Sequence, residues 1–320
     1  MTSTENTTSA AITDAQPWFT FLSKTTSTPG FESFDADIPN MIKDFLLSDD
    51  VNAVSETANK IDTYSASFDH LTYLFETIFG TTALLPSTDP KQEKLLQLII
   101  ELLKIPVKTI TATTGETIQK RLYDNKFFEV KDDMWNAMTV DPFDLEFKTQ
   151  EEYTQACIEY VNLSAFFARC IAAGLEDDDS QSCKFPSYDI PEVLESEHGY
   201  IPGIDTDFKV MIATQYIIIS GKKMKELSAK LWEKDSVVWE KKLKELEDGY
   251  ENGFPVVEPL FELQPGEKEY YGTGNLGMDV LGSVKAARKK LKELSGSVEE
   301  ESEKTPVMSI HEEVAEKKDE

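Results

Sequence analysis

With 320 residues, of which 40% are hydrophobic and 28% charged, the chain has the balance of a globular protein and length enough for one large core or two small ones. Fifty-nine acidic residues against 32 basic ones leave a formal charge of −27, a field that repels polyanions and argues against nucleic acid as a partner. Three cysteines, Cys157, Cys170 and Cys183, are too few and too odd in number for a disulfide framework, so reduced thiols and a cytoplasmic or nuclear setting are expected.

Residues 1–14 are rich in Thr, Ser and Asn and lack both a basic start and an apolar run, which reads as a disordered leader rather than a secretory signal. Short helices are expected around 38–47, 51–64 and 68–79, with His70 at the edge of the core. Asp89-Pro90-Lys91-Gln92 then offers a cap, a proline at the first helical position and a capping-box partner, ahead of Leu95, Leu98, Ile99, Leu102 and Leu103 at helical spacing. Pro106 marks the end of that helix. Thr149-Gln150-Glu151-Glu152 opens a longer one, whose apolar positions run Tyr153, Ala156, Cys157, Tyr160, Phe167, Cys170 and Ile171 before a stop at Gly174. The cysteines there read as small hydrophobes, not nucleophiles.

Residues 175–202, acidic at 176–179 and carrying three prolines, read as a long irregular connection. A third long helix is expected from a cap at Asp205 through Ile217 and past Gly221 toward Leu231. Its run Phe208 to Gly221 is interrupted by Lys209 and Gln215 and falls short of the roughly 20 apolar residues a membrane span needs, so no membrane role is expected. Trp239, Leu243 and Leu246 share one face of a further helix over 237–246. The stretch 249–277 is rich in Pro and Gly. Within it Gly272-Thr273-Gly274-Asn275-Leu276-Gly277 has the G-x-G-x-x-G spacing of a dinucleotide loop, but the charged and aromatic run before it is no buried strand, and a turn entering a helix is the expectation. Lys285, Arg288, Lys289, Lys290 and Lys292 form a basic helical stretch without interleaved aromatics, which reads as a solvated face. The end, 299–320, holds nine acids against three lysines and reads as a disordered acidic tail.

No alternating strand run with hairpin turns stands out, so the fold expected is all-α: a single compact multi-helix domain with disordered termini. Its parts are the leader 1–14, a helical core over 15–250, a Pro/Gly-rich loop and C-terminal helix over 251–298, and the tail 299–320.

The stretch Val161-Asn162-Leu163-Ser164-Ala165-Phe166-Phe167-Ala168-Arg169-Cys170-Ile171-Ala172-Ala173-Gly174 resembles a fungal all-helical domain of unknown function, the DUF3632 family. So does Val210-Met211-Ile212-Ala213-Thr214-Gln215-Tyr216-Ile217-Ile218-Ile219-Ser220-Gly221, with the spacing of Trp232 and Trp239 after it. The chain departs at Tyr216, where the family pattern has tryptophan, and at Ser164 and Thr214. The resemblance implies an all-helical cytosolic protein and supplies no reaction, cofactor or catalytic residue.

No catalytic, cofactor-binding or metal-ligating residue is therefore named, and no cofactor is expected. Asp132-Asp133 and Asp177-Asp178-Asp179 lack the second ligand motif a metal site needs. The polar residues inside the two apolar helices carry more information, since each would cost about 1 to 3 kcal/mol if buried unpaired. Asn162, Arg169, Gln215, Tyr216 and Trp239 are the candidates for a polar core or the wall of a pocket. The leading functional expectation is a non-enzymatic protein that acts through protein interaction, its acidic surface suited to a basic partner. The alternative is a small-molecule-binding or enzymatic pocket in the helical core.

Overall fold

A computed structural model of the chain describes residues 16–25, 33–64, 68–106, 108–111, 117–120, 122–138, 147–175, 184–196, 202–254, 272 and 274–296. The leader, the acidic tail, Cys183, His198, His311 and the acids at 176–179 lie outside the described residues. Helices follow in the order α1 (Pro17–Thr25), α2 (Ser33–Leu47), α3 (Ala53–Tyr64), α4 (Phe68–Ala83), α5 (Pro90–Leu103), α6 (Leu122–Ala137), α7 (Gln150–Ala172), α8 (Pro186–Leu194) and α9 (Ile204–Gln215). A π-helical turn, Tyr216–Ser220, leads into α10 (Gly221–Leu227), and α11 (Ala229–Asn252) and α12 (Val280–Ser295) complete the order.

The all-α expectation holds, with one small exception. Between α5 and α6, β1 (Lys108–Thr111) and β2 (Thr117–Lys120) form an antiparallel ladder that pairs Lys108 with Lys120 and Ile110 with Ile118. Four β-branched-rich residues a side are too short a run for alternation to announce them.

Helix α7 organises the molecule. Its start is capped as expected, for Thr149 Oγ1 accepts from the Glu152 amide at 3.2 Å, while the Glu152 carboxylate accepts from the Lys148 amide at 2.8 Å. Its end is a Schellman turn: Gly174, at φ +79, lets the Leu175 amide reach Cys170 O and its own amide reach Ile171 O, both at 2.9 Å. Between the caps, every side chain from Tyr160 to Ala168 is buried. A helix that is apolar on all sides can sit only inside a core.

Around it pack α4, α5, α9, α10 and the π turn. Phe79 of α4 meets Phe166 and Phe167 of α7 edge-on at 6.2 and 5.6 Å and Phe127 of α6 at 6.0 Å, an aromatic knot whose rings stabilise by about 2 to 3 kcal/mol each through burial. Helices α1 to α6 thus lie to one side of α7 and α8 to α12 to the other, with Trp135 of α6 bridging them by stacking on Phe185 at 5.0 Å.

Two sequence expectations change. The connection 175–202 contains a helix, α8, whose Phe185, Ile190 and Leu194 are buried. The long helix expected over 205–231 starts at Ile204 with Gly203, not Asp205, at the cap position, passes through the π turn, and breaks at Ser228, where φ −147 and ψ 59 are not helical. Three successive isoleucines crowd an α turn, and widening it to a π turn relieves them. Within this run Gly221 is a close-packing point: a Cβ there would lie 3.1 Å from Trp232 and 3.2 Å from Leu294.

Candidate functional site

Asn162 and Arg169 stand two turns apart on α7 and face the chain between α4 and α5. The backbone carbonyls of that turn need donors, because they are carried into the interior. Gln92, fully buried on α5, donates to Leu85 O at 2.9 Å and to Asn162 O at 3.2 Å. Asn162 donates to Ala83 O at 2.9 Å and accepts from the Ser87 amide at 3.0 Å. Arg169 donates to Gln92 Oε1 at 3.0 Å and to Ser87 O at 2.5 Å. Desolvation lowers the Arg169 guanidinium from its usual basicity, and Glu93 opposes that shift. The network locks the α4–α5 turn onto α7.

The opposite face of α7 carries Tyr160 and Ser164, one turn apart, and meets α8 and the π turn. Asp189 of α8 is 8% exposed and accepts from Trp135 Nε1 at 3.2 Å. Burial pushes its carboxyl up to about 7; the Trp135 bond works against that shift and neighbouring Glu192 with it. Tyr160 and Tyr216 both lie within electrostatic reach of this carboxyl, and burial followed by that negative charge raises both phenols far above their ordinary range. Tyr216 also approaches Ser164. These approaches fall short of regular bonding geometry, and among the described residues neither Ser164 Oγ nor the Tyr216 hydroxyl has a hydrogen-bond partner. Chemically the cluster is a protonatable carboxyl among hydroxyls, able to hold a proton or donate a hydrogen bond.

The candidates named from sequence therefore separate. Tyr216 belongs to the Asp189 cluster, and Asn162 and Arg169 belong to the α4–α5 network. Trp239 of α11 donates to Glu195 Oε1 at 2.9 Å and meets Trp232 edge-on at 5.4 Å, which ties α11 to the end of α8. Gln215 is half-buried at the end of α9. Thr214 is buried and bonded to Met211 O at 2.8 Å and Ser283 Oγ at 2.6 Å, which links α9 to α12. Sequence reading did not single out Asp189 or Trp135, and it gave Gln92 a capping-box role, whereas its buried side chain turns to Leu85 O and Asn162 O. The available signal for Asp189 was Pro186 followed by Ile190 and Leu194, a helical start and spacing inside a stretch taken as irregular.

Near the start of α7, Tyr153 donates to Asp205 Oδ1 at 3.3 Å and Lys209 lies 3.9 Å from the same carboxylate. Burial pushes the Cys157 thiol beside them up to about 12, so at neutral pH it is a thiol, not a thiolate. The glycine-rich segment packs on this region: the Asp205 amide donates to Gly272 O at 3.2 Å, and a Cβ on Gly274 would collide with Gln150. Asn275 Oδ1 accepts from the Gly277 amide at 2.7 Å and Asp279 from Gly282 at 2.9 Å, so the segment is a turn that enters α12. A shallow cleft of about 260 Å³ runs beside it, lined by Gln150, Thr154, Ile158, Ile204 and Asn275. A second cleft, of about 270 Å³, lies between α2 and α3 with Met41, Phe45 and Ala53 on its floor and Asp44, Asp50, Glu56 and Lys60 along it.

Of the basic stretch on α12, Lys285 and Lys289 are exposed as expected, but two of its cations also reach across to α11. Arg288 bonds Glu240 at 2.9 Å and Glu247 at 2.8 Å, and Lys285 pairs with Glu251 at 2.5 Å, all three acids on α11. Among the described residues no helix is long and apolar enough to cross a membrane. Residues 75–261 match the model of a family described as a protein of unknown function, DUF3632. No curated protein and no solved structure matches the chain.

Proposed function

The chain belongs to the DUF3632 family, proteins of unknown function, and from that premise we propose that it works without catalysis, as a cytoplasmic or nuclear interaction module for a basic protein partner. The observation that carries this reading is where the cations go. Arg288 and Lys285 are turned onto Glu240, Glu247 and Glu251, so these two cations help dock α12, and the chain as a whole keeps its charge of −27. Such a field attracts cationic surfaces and speeds their encounter. The α2–α3 cleft offers a place for them. Its acidic rim is joined by Leu47 and Val51, 47% and 89% exposed, which supply apolar contact beside the charge.

A second reading, a pocket in the helical core for a small molecule, is favoured by one observation: the buried, unpartnered hydroxyls of Ser164 and Tyr216 beside Asp189. One experiment separates the two. Tagged full-length protein is used to capture partners from native extract at 50 and 300 mM salt, beside a thermal-shift screen of small metabolites. A basic partner held at low salt, released at high salt and lost in an Asp44→Lys, Asp50→Lys, Glu56→Lys variant is the expected result. Absence of any salt-sensitive partner, or a metabolite that raises the melting temperature by several degrees, overturns it.

A further inference from the structure

Helix α8 is fastened by three carboxylates, each to a different helix. Asp189 accepts from Trp135 of α6, Glu192 pairs with Lys209 of α9 at 3.0 Å, and Glu195, the residue that caps the helix, accepts from Trp239 of α11. A nine-residue helix with Pro191 inside it has little stability of its own, so these contacts and the burial of Phe185, Ile190 and Leu194 decide whether it stays seated.

Of the three acids, Asp189 is the one under the helix. The titratable or charged groups around it are Tyr160 from α7, Tyr216 from the π turn, and Glu192 and Glu195 on its own side. From α9, Lys209 is engaged by Glu192 and by Asp205. From α6, Lys131 lies over the rings of Phe127, Phe128 and Phe185. Among the described residues no cation is ion-paired with Asp189; the indole N–H and the nearby Tyr216 and Tyr160 hydroxyls favour the charged form, but by less than removal from water disfavours it. A protonated carboxyl suits the place, because it can donate as well as accept beside the unpartnered hydroxyls of Ser164 and Tyr216.

We propose that α8 is a proton-operated latch: with Asp189 protonated it is seated over Tyr160, Ser164 and Tyr216, and loss of that proton unseats it and opens the hydroxyl cluster to water. Ionised in place, the carboxylate stays uncompensated, whereas with α8 lifted it is hydrated. Rising pH favours the open state from the ordinary carboxyl range up to about 7, where the seated carboxyl itself ionises. The opening is local, since α7 and α9 keep their own packing against each other.

Hydrogen–deuterium exchange on the full chain at pH 4, 5, 6, 7 and 8, corrected for intrinsic rates, reads the latch directly. Amides of 186–195 are expected to lose protection by about tenfold per pH unit from about pH 4 until the seated carboxyl itself ionises near 7, and to level off above that midpoint, while those of 160–171 hold theirs. Asp189→Asn, neutral at every pH, is expected to keep α8 protected throughout. Glu192→Gln removes a like charge and frees Lys209, so its midpoint is expected to move to lower pH. Protection of α8 that does not change with pH in the native chain overturns the latch, as does an unchanged loss in Asp189→Asn. Should that variant not fold, a Glu192→Gln midpoint that stays in place or rises does the same.

Discussion

At the scale of single residues, the polar groups buried around α7 do two different jobs. Arg169 is structural: its truncation to Leu leaves Gln92 Oε1 and Ser87 O short of a donor inside the fold. A loss of about 2 to 3 kcal/mol is expected, read as a lower urea midpoint with an unchanged slope. Asp189 is conditional. Its carboxyl is raised from 3.8 to about 7 by burial, so between those values the folded chain holds a proton that the unfolded chain has released. The stability this contributes is complete below about pH 4 and declines as pH rises toward 7, by on the order of 4 kcal/mol at most, since opening of α8 would cap the penalty. Urea denaturation at pH 5, 6, 7 and 8 checks the sign: the stability of Asp189→Asn relative to the native chain should grow with pH and level off above 7. A difference independent of pH would mean that Asp189 is ionised in the fold. Of these residues, Arg169, Asn162 and Tyr216 were legible in the sequence because they interrupt apolar runs. Asp189 was not, because acids in a proline-punctuated segment look solvated whether or not a helix folds them inward.

Elements were legible where local signals and burial agree. The caps at Asp89 and Thr149 and the stop at Gly174 are chemistry within a few residues, and the structure uses all three. Gly174→Ala should destabilise by about 1 kcal/mol, since φ +79 strains any residue with a Cβ; equilibrium denaturation measures it, and a neutral result would mean that the turn re-forms by another route. Elements were missed where the decision is made at a distance. The ladder of β1 and β2 needs its partner strand to exist at all. Helix α8 is held by Trp135, Lys209 and Trp239, residues 44 or more positions away for the two tryptophans, which no local pattern reveals. The π turn is a compromise between three crowding isoleucines and the need to bury Tyr216 and Ile217, so periodicity gave a helix but not its break at Ser228. For the same reason the pairing of Arg288 was not legible: its acidic complement lies on α11, beyond the reach of any i, i+4 pattern.

For the whole molecule, charge and packing pull against each other. A surplus of 27 negative charges repels itself, and folding draws those of the described residues closer together. Salt screens this repulsion, with a Debye length of about 10 Å at 0.1 M, and should raise the melting temperature. Salt also weakens attraction, and the α11–α12 junction depends in part on Arg288, Glu240 and Glu247. Those side chains are only 21%, 33% and 19% exposed, however, so their bonds are shielded from ions better than the open acids are. Repulsion should therefore dominate, and the melting temperature at pH 8 should rise by several degrees between 20 and 300 mM sodium chloride. In Arg288→Ala the chain starts lower, with one cation fewer and two carboxylates unanswered, and it should gain more from the same salt. A melting temperature that falls with salt in the native chain would show the junction, not the surface excess, to be the larger electrostatic contribution, and with it the case for a solvent-facing acidic field would fail.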